Sequence, residues 1–89
     1  MSYELVYTKR AVKELAKLDR YTKSIIKAWI DKNLIGCSDP RAHGKALSAE
    51  LSGLWRYRIG DYRLICELLD DRLVILAVHI GHRRDVYDK

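Results

Sequence analysis

Leu54-Trp-Arg-Tyr-Arg-Ile-Gly-Asp-Tyr-Arg-Leu-Ile65 decides the fold of this chain. Two strand-like runs flank Gly60-Asp61, a two-residue loop of the kind that closes a β-hairpin. A hairpin on that loop pairs Ile59 with Tyr62, Arg58 with Arg63 and Arg56 with Ile65. Side chains alternate across a strand. Arg56, Arg58 and Arg63 therefore share one face, with Trp55, Tyr57 and Leu64 on the other. Like charges directly opposite each other destabilise a sheet. A bound anion would offset the repulsion, and guanidinium groups suit phosphate. The plain alternative is a basic edge that keeps the sheet from pairing with neighbours.

Outward from the hairpin, Tyr62–Leu69 and Leu73–Ile80 continue a meander through a turn at Asp70-Asp71. The run Val74 to Val78 is apolar at every position, as expected of a central strand covered on both sides. Upstream, Tyr3 to Tyr7 alternates and reads as a first strand, with Tyr3, Leu5 and Tyr7 on one face. Thr8 suits an N-cap. The helix after it carries Val12, Leu15, Ala16 and Leu18 as its apolar stripe, with Lys9, Arg10, Lys13, Glu14 and Lys17 in solvent. Asp19 suits a second cap, for a helix over roughly Tyr21 to Ile35 with a stripe of Ile25, Ile26, Trp29, Ile30 and Asn33-Leu34. Gly36 fits its C-terminal stop. Residues 36–53 read as loop, punctuated by Asp39-Pro40, Gly44 and Gly53. The order is βααβββ. It predicts an α+β domain, a helical hairpin packed on a mostly antiparallel four-stranded sheet.

The chain has 89 residues, enough for one domain with one core. With 48% hydrophobic and 33% charged residues it is globular in composition. Seventeen Lys and Arg against twelve Asp and Glu give a net charge of +5. That balance favours a polyanionic or acidic partner, and arginines after residue 54 concentrate it. Cys37 and Cys66 form no CxxC pair and read as reduced and structural. No signal peptide is evident, and no apolar run reaches the roughly 20 residues of a membrane span. No membrane partner is expected, and a reducing cytoplasm is the expected location.

The strongest chemical constellation joins the arginine face to Gly81-His82-Arg83-Arg84-Asp85-Val86-Tyr87. In an antiparallel meander the end of the last strand lies near the start of the strand before it. His82, Arg83 and Tyr87 are thereby brought toward Arg63 and Arg58. Phosphoryl transfer needs charge neutralised on phosphate oxygens and a group that takes a proton from the attacking hydroxyl. Arginines meet the first need, and Tyr87 or His82 the second. A tyrosine titrates near about 10, and neighbouring arginines would lower that by stabilising the phenolate. Ring packing over the sheet edge and an exposed loop position are the plain alternatives for Tyr87 and His82. By parity His79 goes with Tyr62 on the helix-covered face, as a satisfied border histidine. His43 reads as a surface residue. The His, Cys and carboxylate positions have no metal-ligand spacing, and neither a Gly-rich phosphate loop nor a dinucleotide fingerprint is present, so no cofactor is expected.

These residues resemble the RelE toxins of bacterial type II toxin–antitoxin systems. The resemblance is carried by Tyr3-Glu-Leu-Val-Tyr-Thr-Lys-Arg-Ala-Val-Lys-Glu-Leu15, by Lys45-Ala-Leu-Ser48 with the hairpin, and by Val78-His-Ile-Gly-His-Arg-Arg-Asp-Val-Tyr87. It covers essentially the whole chain, residues 1–89, as a single domain of the RelE-like microbial RNase fold. It implies a ribosome-dependent, metal-independent endoribonuclease that cuts mRNA in the A site of the 70S ribosome and so inhibits translation. The mRNA 2′-OH attacks the adjacent phosphate, leaving a 2′,3′-cyclic phosphate and a 5′-OH. On this resemblance Arg56 and Arg58 hold backbone and help stabilise the transition state, and Arg63 binds the scissile phosphate. Arg83 stabilises charge on the leaving side, and Tyr87 is the base or stacks on a nucleobase. Lys45 and Arg84 join Arg56 as RNA contacts, and His82 shares proton handling. Such a nuclease leans on the ribosome to orient the 2′-OH in line. A second implied partner is an acidic, RelB-like antitoxin that forms a hetero-oligomer with the toxin. Two other readings stay open: a ParE-like inhibitor of DNA gyrase, and a non-catalytic RNA-binding module on the same fold.

Overall fold

The computed structural model describes residues 1–47 and 53–82. In chain order it contains β1 (Glu4–Tyr7), α1 (Lys9–Ala16), α2 (Arg20–Asn33), a 3₁₀ turn (Pro40–Ala42), β2 (Lys45–Ala46), β3 (Leu54–Ile59), β4 (Tyr62–Leu69) and β5 (Val74–His82). The strands form one sheet in the order β1-β5-β4-β3-β2. β1 runs parallel to β5, and every other pair is antiparallel. Among the described residues the sheet thus has five strands where four are expected. The addition, β2, is two residues long, too short for alternation to reveal it.

Both helix starts are capped by a side-chain oxygen that satisfies an otherwise orphaned N–H. Thr8 Oγ1 accepts from Ala11 N–H at 3.1 Å, and Asp19 Oδ2 from Thr22 N–H at 3.1 Å. Thr8 also donates its own N–H to the Ala77 carbonyl at 2.9 Å, so α1 starts where β1 stops pairing with β5. Beyond α2, Gly36 takes φ +77°, and its N–H donates to the Tyr3 carbonyl.

The helices cover one face of the sheet. Ala11, Leu15, Ile26, Ile30 and Leu34 meet Tyr57, Ile59, Leu64, Cys66, Ile75, Ala77 and Ile80 in a single core. The stripe of α1 is rotated from its expected phase: Ala11 is fully buried, whereas Val12 is 52% exposed. On α2, Ile25 is similarly turned outward and Ile26 inward. Trp55, Tyr57 and Leu64 lie on the helix side as expected. β5 is an interior strand, yet its second face, with Val74 and Leu76, is only half-buried. Coverage on both sides is therefore not found among the described residues.

The β4–β5 ladder carries one irregularity. Pairing runs Tyr62 with His82, Arg63 with Gly81, Leu64 with Ile80 and Ile65 with His79, then jumps to Cys66 with Ala77. Val78 is the extra residue of a β-bulge, which inverts the side-chain parity of everything after it. Ile80 and His82 consequently fall on the helix side. His79 falls on the opposite side, against the expectation that places it with Tyr62.

Candidate RNA-binding and catalytic face

The hairpin register is the expected one. Ile59 pairs with Tyr62, Arg58 with Arg63 and Arg56 with Ile65. Arg56, Arg58 and Arg63 accordingly share the face that the helices leave open. β2 extends that face by one row, because Lys45 stands opposite Arg56. Gly44, Lys45, Arg56 and Arg58 line a shallow cleft of about 230 Å³. Along the next row Arg58, Arg63 and Gly81 are neighbours, and Gly81 offers bare backbone beside Arg63. Arg63 also donates from one guanidinium nitrogen to the Tyr62 carbonyl at 3.3 Å. Ile65, buried but outside the helix-side core, is the apolar floor between Arg56 and His79.

The segment that presents Lys45 is fixed from several directions. Tyr57 donates its hydroxyl to the Pro40 carbonyl at 2.5 Å, within the core. Burial pushes the Tyr57 phenol well above its ordinary range, so it stays a donor. Trp55 Nε1–H donates to the His43 carbonyl at 2.6 Å, and the Trp29 ring packs edge-on to His43 and tilted to Tyr57. Arg41 grips Asp70 with two bonds of 3.0 Å and lies 5.8 Å from the Trp55 ring centre. Tyr3 adds a 2.7 Å bond to the same Asp70 carboxylate. The Arg41 and Tyr3 bonds hold the Asp70 carboxyl below its ordinary range.

Gly44 explains how β2 comes so close to β3. It adopts φ +80°, and a Cβ there would collide with the Arg56 carbonyl oxygen and sit 2.8 Å from Trp55 Nε1. Nothing in the spacing of residues 36–53 marks this contact beyond the glycine itself.

His82 stands opposite Tyr62, with ring centres 5.4 Å apart in an edge-to-face stack. It is at the same end of the sheet as Arg58 and Arg63 but on the other side of the pleat. Arg83, Arg84 and Tyr87 lie outside the described residues. His79 is the histidine beside the arginines in register. Its Nδ1 is 2.6 Å from Glu14 Oε2. Glu14, expected in solvent, reaches from α1 to the free edge of β5, where its Oε1 accepts the Ile80 N–H at 2.8 Å. Arg10 Nε donates to Oε2 at 3.1 Å. Partial burial pushes the Glu14 carboxyl up, but the Ile80, His79 and Arg10 contacts outweigh it and the pKa falls below its ordinary value. The periodicity of α1 contains no signal for this contact. No helix among the described residues is long and apolar enough to cross a membrane.

Comparison with known proteins converges on one family. Residues 5–87 match the family model described as the ParE toxin of the type II toxin–antitoxin system parDE. The toxin RelG of Mycobacterium tuberculosis is 29% identical over 87 residues, covering 98% of both chains. A putative RelE-like toxin protein of Escherichia coli is 30% identical over 95 residues, covering 99% of this chain and 93% of that one. Among solved structures, the toxin–antitoxin complex RelBE2 of Mycobacterium tuberculosis matches with a TM-score of 0.83 at 26% identity, over 93% of each chain. The isolated Escherichia coli RelE toxin matches in fold, with a TM-score of 0.71 at 20% identity over 91% of this chain and 84% of that one. The chain belongs to the RelE/ParE family of toxins of type II toxin–antitoxin systems.

Proposed function

We propose that this toxin is a ribosome-dependent endoribonuclease that cuts mRNA in the A site and thereby stops translation. The observation that carries this reading is the row of Arg58 against Arg63, extended by Arg56 and Lys45 on a helix-free face. Two guanidiniums held opposite each other offer a phosphate charge-assisted bonds from both strands. Arg63 binds the scissile phosphate, Arg58 neutralises charge as the fifth bond to phosphorus forms, and Arg56, Lys45 and Arg84 hold flanking backbone. Arg83 stabilises the leaving side. Tyr87 takes the 2′-OH proton, while His82 supports this end of the sheet through Tyr62. In this scheme the ribosome supplies alignment of the 2′-OH, which a shallow open face does not supply.

The toxin is held silent by an acidic antitoxin in a hetero-oligomer, as the toxin–antitoxin complexes among its structural relatives suggest. The helical hairpin offers the landing surface: a groove lined by Tyr7, Val12, Leu15 and Ala16 and rimmed by Lys23 and Lys27. Apolar contact would give affinity there, and the lysines would select an acidic segment.

Primer extension on a defined mRNA tests the reading, with purified toxin and ribosomes carrying an empty A site. Cuts at A-site codons that require ribosomes are expected. Absence of cuts from folded protein would overturn it. A second reading has its own support in the ParE description of the matching family model. It predicts loss of gyrase supercoiling activity with mRNA left intact.

A further inference from the structure

We propose that His79, oriented by Glu14, is the acid that protonates the leaving 5′-oxygen in the cleavage reaction. This rests on the nuclease reading above and adds to it a residue on the described face.

The bulge at Val78 carries the argument. Without it, alternation would put His82 with the arginines and His79 under the helices. With it, His79 stands opposite Ile65, which itself stands opposite Arg56. Arg63 lies two residues before Ile65 on β4, a diagonal neighbour of His79, at roughly 7–8 Å between backbones. Between them Gly81 presents no side chain, the kind of strand position that lets a ligand approach the backbone. A phosphate on Arg63 above Gly81 would lie one diagonal step from the His79 position in the ladder.

The ring is also held as a proton donor must be. Glu14 Oε2 takes Nδ1 at 2.6 Å, and Oε1 of the same carboxylate is locked on the Ile80 N–H at 2.8 Å. A carboxylate on one ring nitrogen fixes orientation and leaves the other, Nε2, for substrate. Nδ1 is the anchored atom, so Nε2 is the chemical one. Arg10 faces the same carboxylate from one turn earlier and completes the cluster.

The chemistry has a vacancy that His79 fills. Arginine stabilises charge on a leaving oxygen but does not give up a proton. In the step, the O2′–P bond forms and the P–O5′ bond breaks. The 2′-OH proton goes to the base assigned above, and the Nε2 proton of protonated His79 goes to O5′. The products are the 2′,3′-cyclic phosphate and the 5′-OH, and exchange with solvent restores both protein groups. Glu14 is a positioning residue, acting through the ring.

The test compares two mRNAs on programmed ribosomes. One is ordinary; the other carries sulfur in place of the bridging 5′-oxygen at the cleavage site. A thiolate leaves without a proton. His79→Gln is expected to slow cleavage of the ordinary mRNA about 100-fold and to leave the sulfur substrate within a few-fold of wild type. Glu14→Gln, whose amide oxygen still accepts the Ile80 N–H, is expected to show a smaller loss that sulfur also rescues. Arg63→Ala is expected to lose both substrates. Misfolding lowers both rates equally, so their ratio reports the acid. Equal loss on both substrates by His79→Gln would overturn the role of His79 alone. No cleavage of either by wild type would overturn the nuclease reading and this inference with it.

Discussion

Arg58 and Arg63 face each other across the β3–β4 hairpin, with Gly60-Asp61 closing the turn two residues on. Cross-strand pairs of like charge cost stability, on the order of 0.2–1 kcal/mol against a neutral pair. Arg58→Gln is expected to raise the thermal midpoint by a few degrees, in line with a few tenths of a kcal/mol to about 1 kcal/mol. The same variant is expected to lose at least about 100-fold in mRNA cleavage. Added inorganic phosphate should raise the midpoint of wild type more than that of the variant. A variant both less stable and fully active would contradict the assignment.

Gly44 is the narrowest point of the fold around the basic cleft. Its φ of +80° and the Arg56 carbonyl leave no room for a side chain. Gly44→Ala is expected to cost at least about 1–2 kcal/mol from backbone handedness alone, and more from the collision. β2 would lift away from β3, taking Lys45 from its place opposite Arg56. Urea denaturation gives the stability loss. A fluorescence titration with short single-stranded RNA should show weaker binding and a shallower salt dependence, since one phosphate contact is lost. Unchanged binding would mean that Lys45 is not part of the face.

The hairpin and its arginine row were legible because a two-residue turn and strict alternation determine register together. β5 was not legible in phase. Val74 to Val78 is apolar at every position, so no alternation marks where the bulge falls, and His79 and His82 change sides unannounced. α1 failed in a related way: Ala11 and Val12 are both apolar, and only packing against β5 decides which goes inward. Glu14 reads as one more charge on a solvated helix face. Its role exists because β1 stops at Tyr7 and leaves the Ile80 N–H without a strand partner. β2 is visible only through its partner β3. Period and turn chemistry are local and stand in the sequence, whereas the bulge, the phase of α1 and the Glu14 contact arise from tertiary packing.

Acid should unfold this toxin through two carboxylates in particular. Glu14 and Asp70 both have folded-state pKa values below their ordinary ones. A depressed carboxylate contributes stability that is fully present above its unfolded pKa, about 4, and is lost as pH falls through the folded value. Stability should therefore hold from neutral pH down to about 4 and decline below it. Glu14→Gln and Asp70→Asn should each flatten that decline, measured as urea midpoints across pH. Asp70 is exposed, so its share should also shrink at high salt, whereas that of half-buried Glu14 should persist. Variant and wild-type curves that stay parallel through the acid range would remove these groups from the account.

Tyr57 is the residue through which core and cleft are coupled. It is fully buried between Leu64 and Trp29, and its hydroxyl donates to the Pro40 carbonyl that opens the 3₁₀ turn. Tyr57→Phe keeps the ring and removes only that bond, leaving the carbonyl unsatisfied. The expected loss is about 1–3 kcal/mol, the cost of a stranded buried acceptor. Because the turn leads into Gly44 and Lys45, part of the effect should be local. Hydrogen exchange should speed up in residues 40–46 more than in β4 and β5, and cleavage should fall less than in Arg58→Gln. If the same loss of protection spread evenly over all strands, the bond would be stabilising the domain as a whole. The 3₁₀ segment would then not be the element that carries the basic cleft.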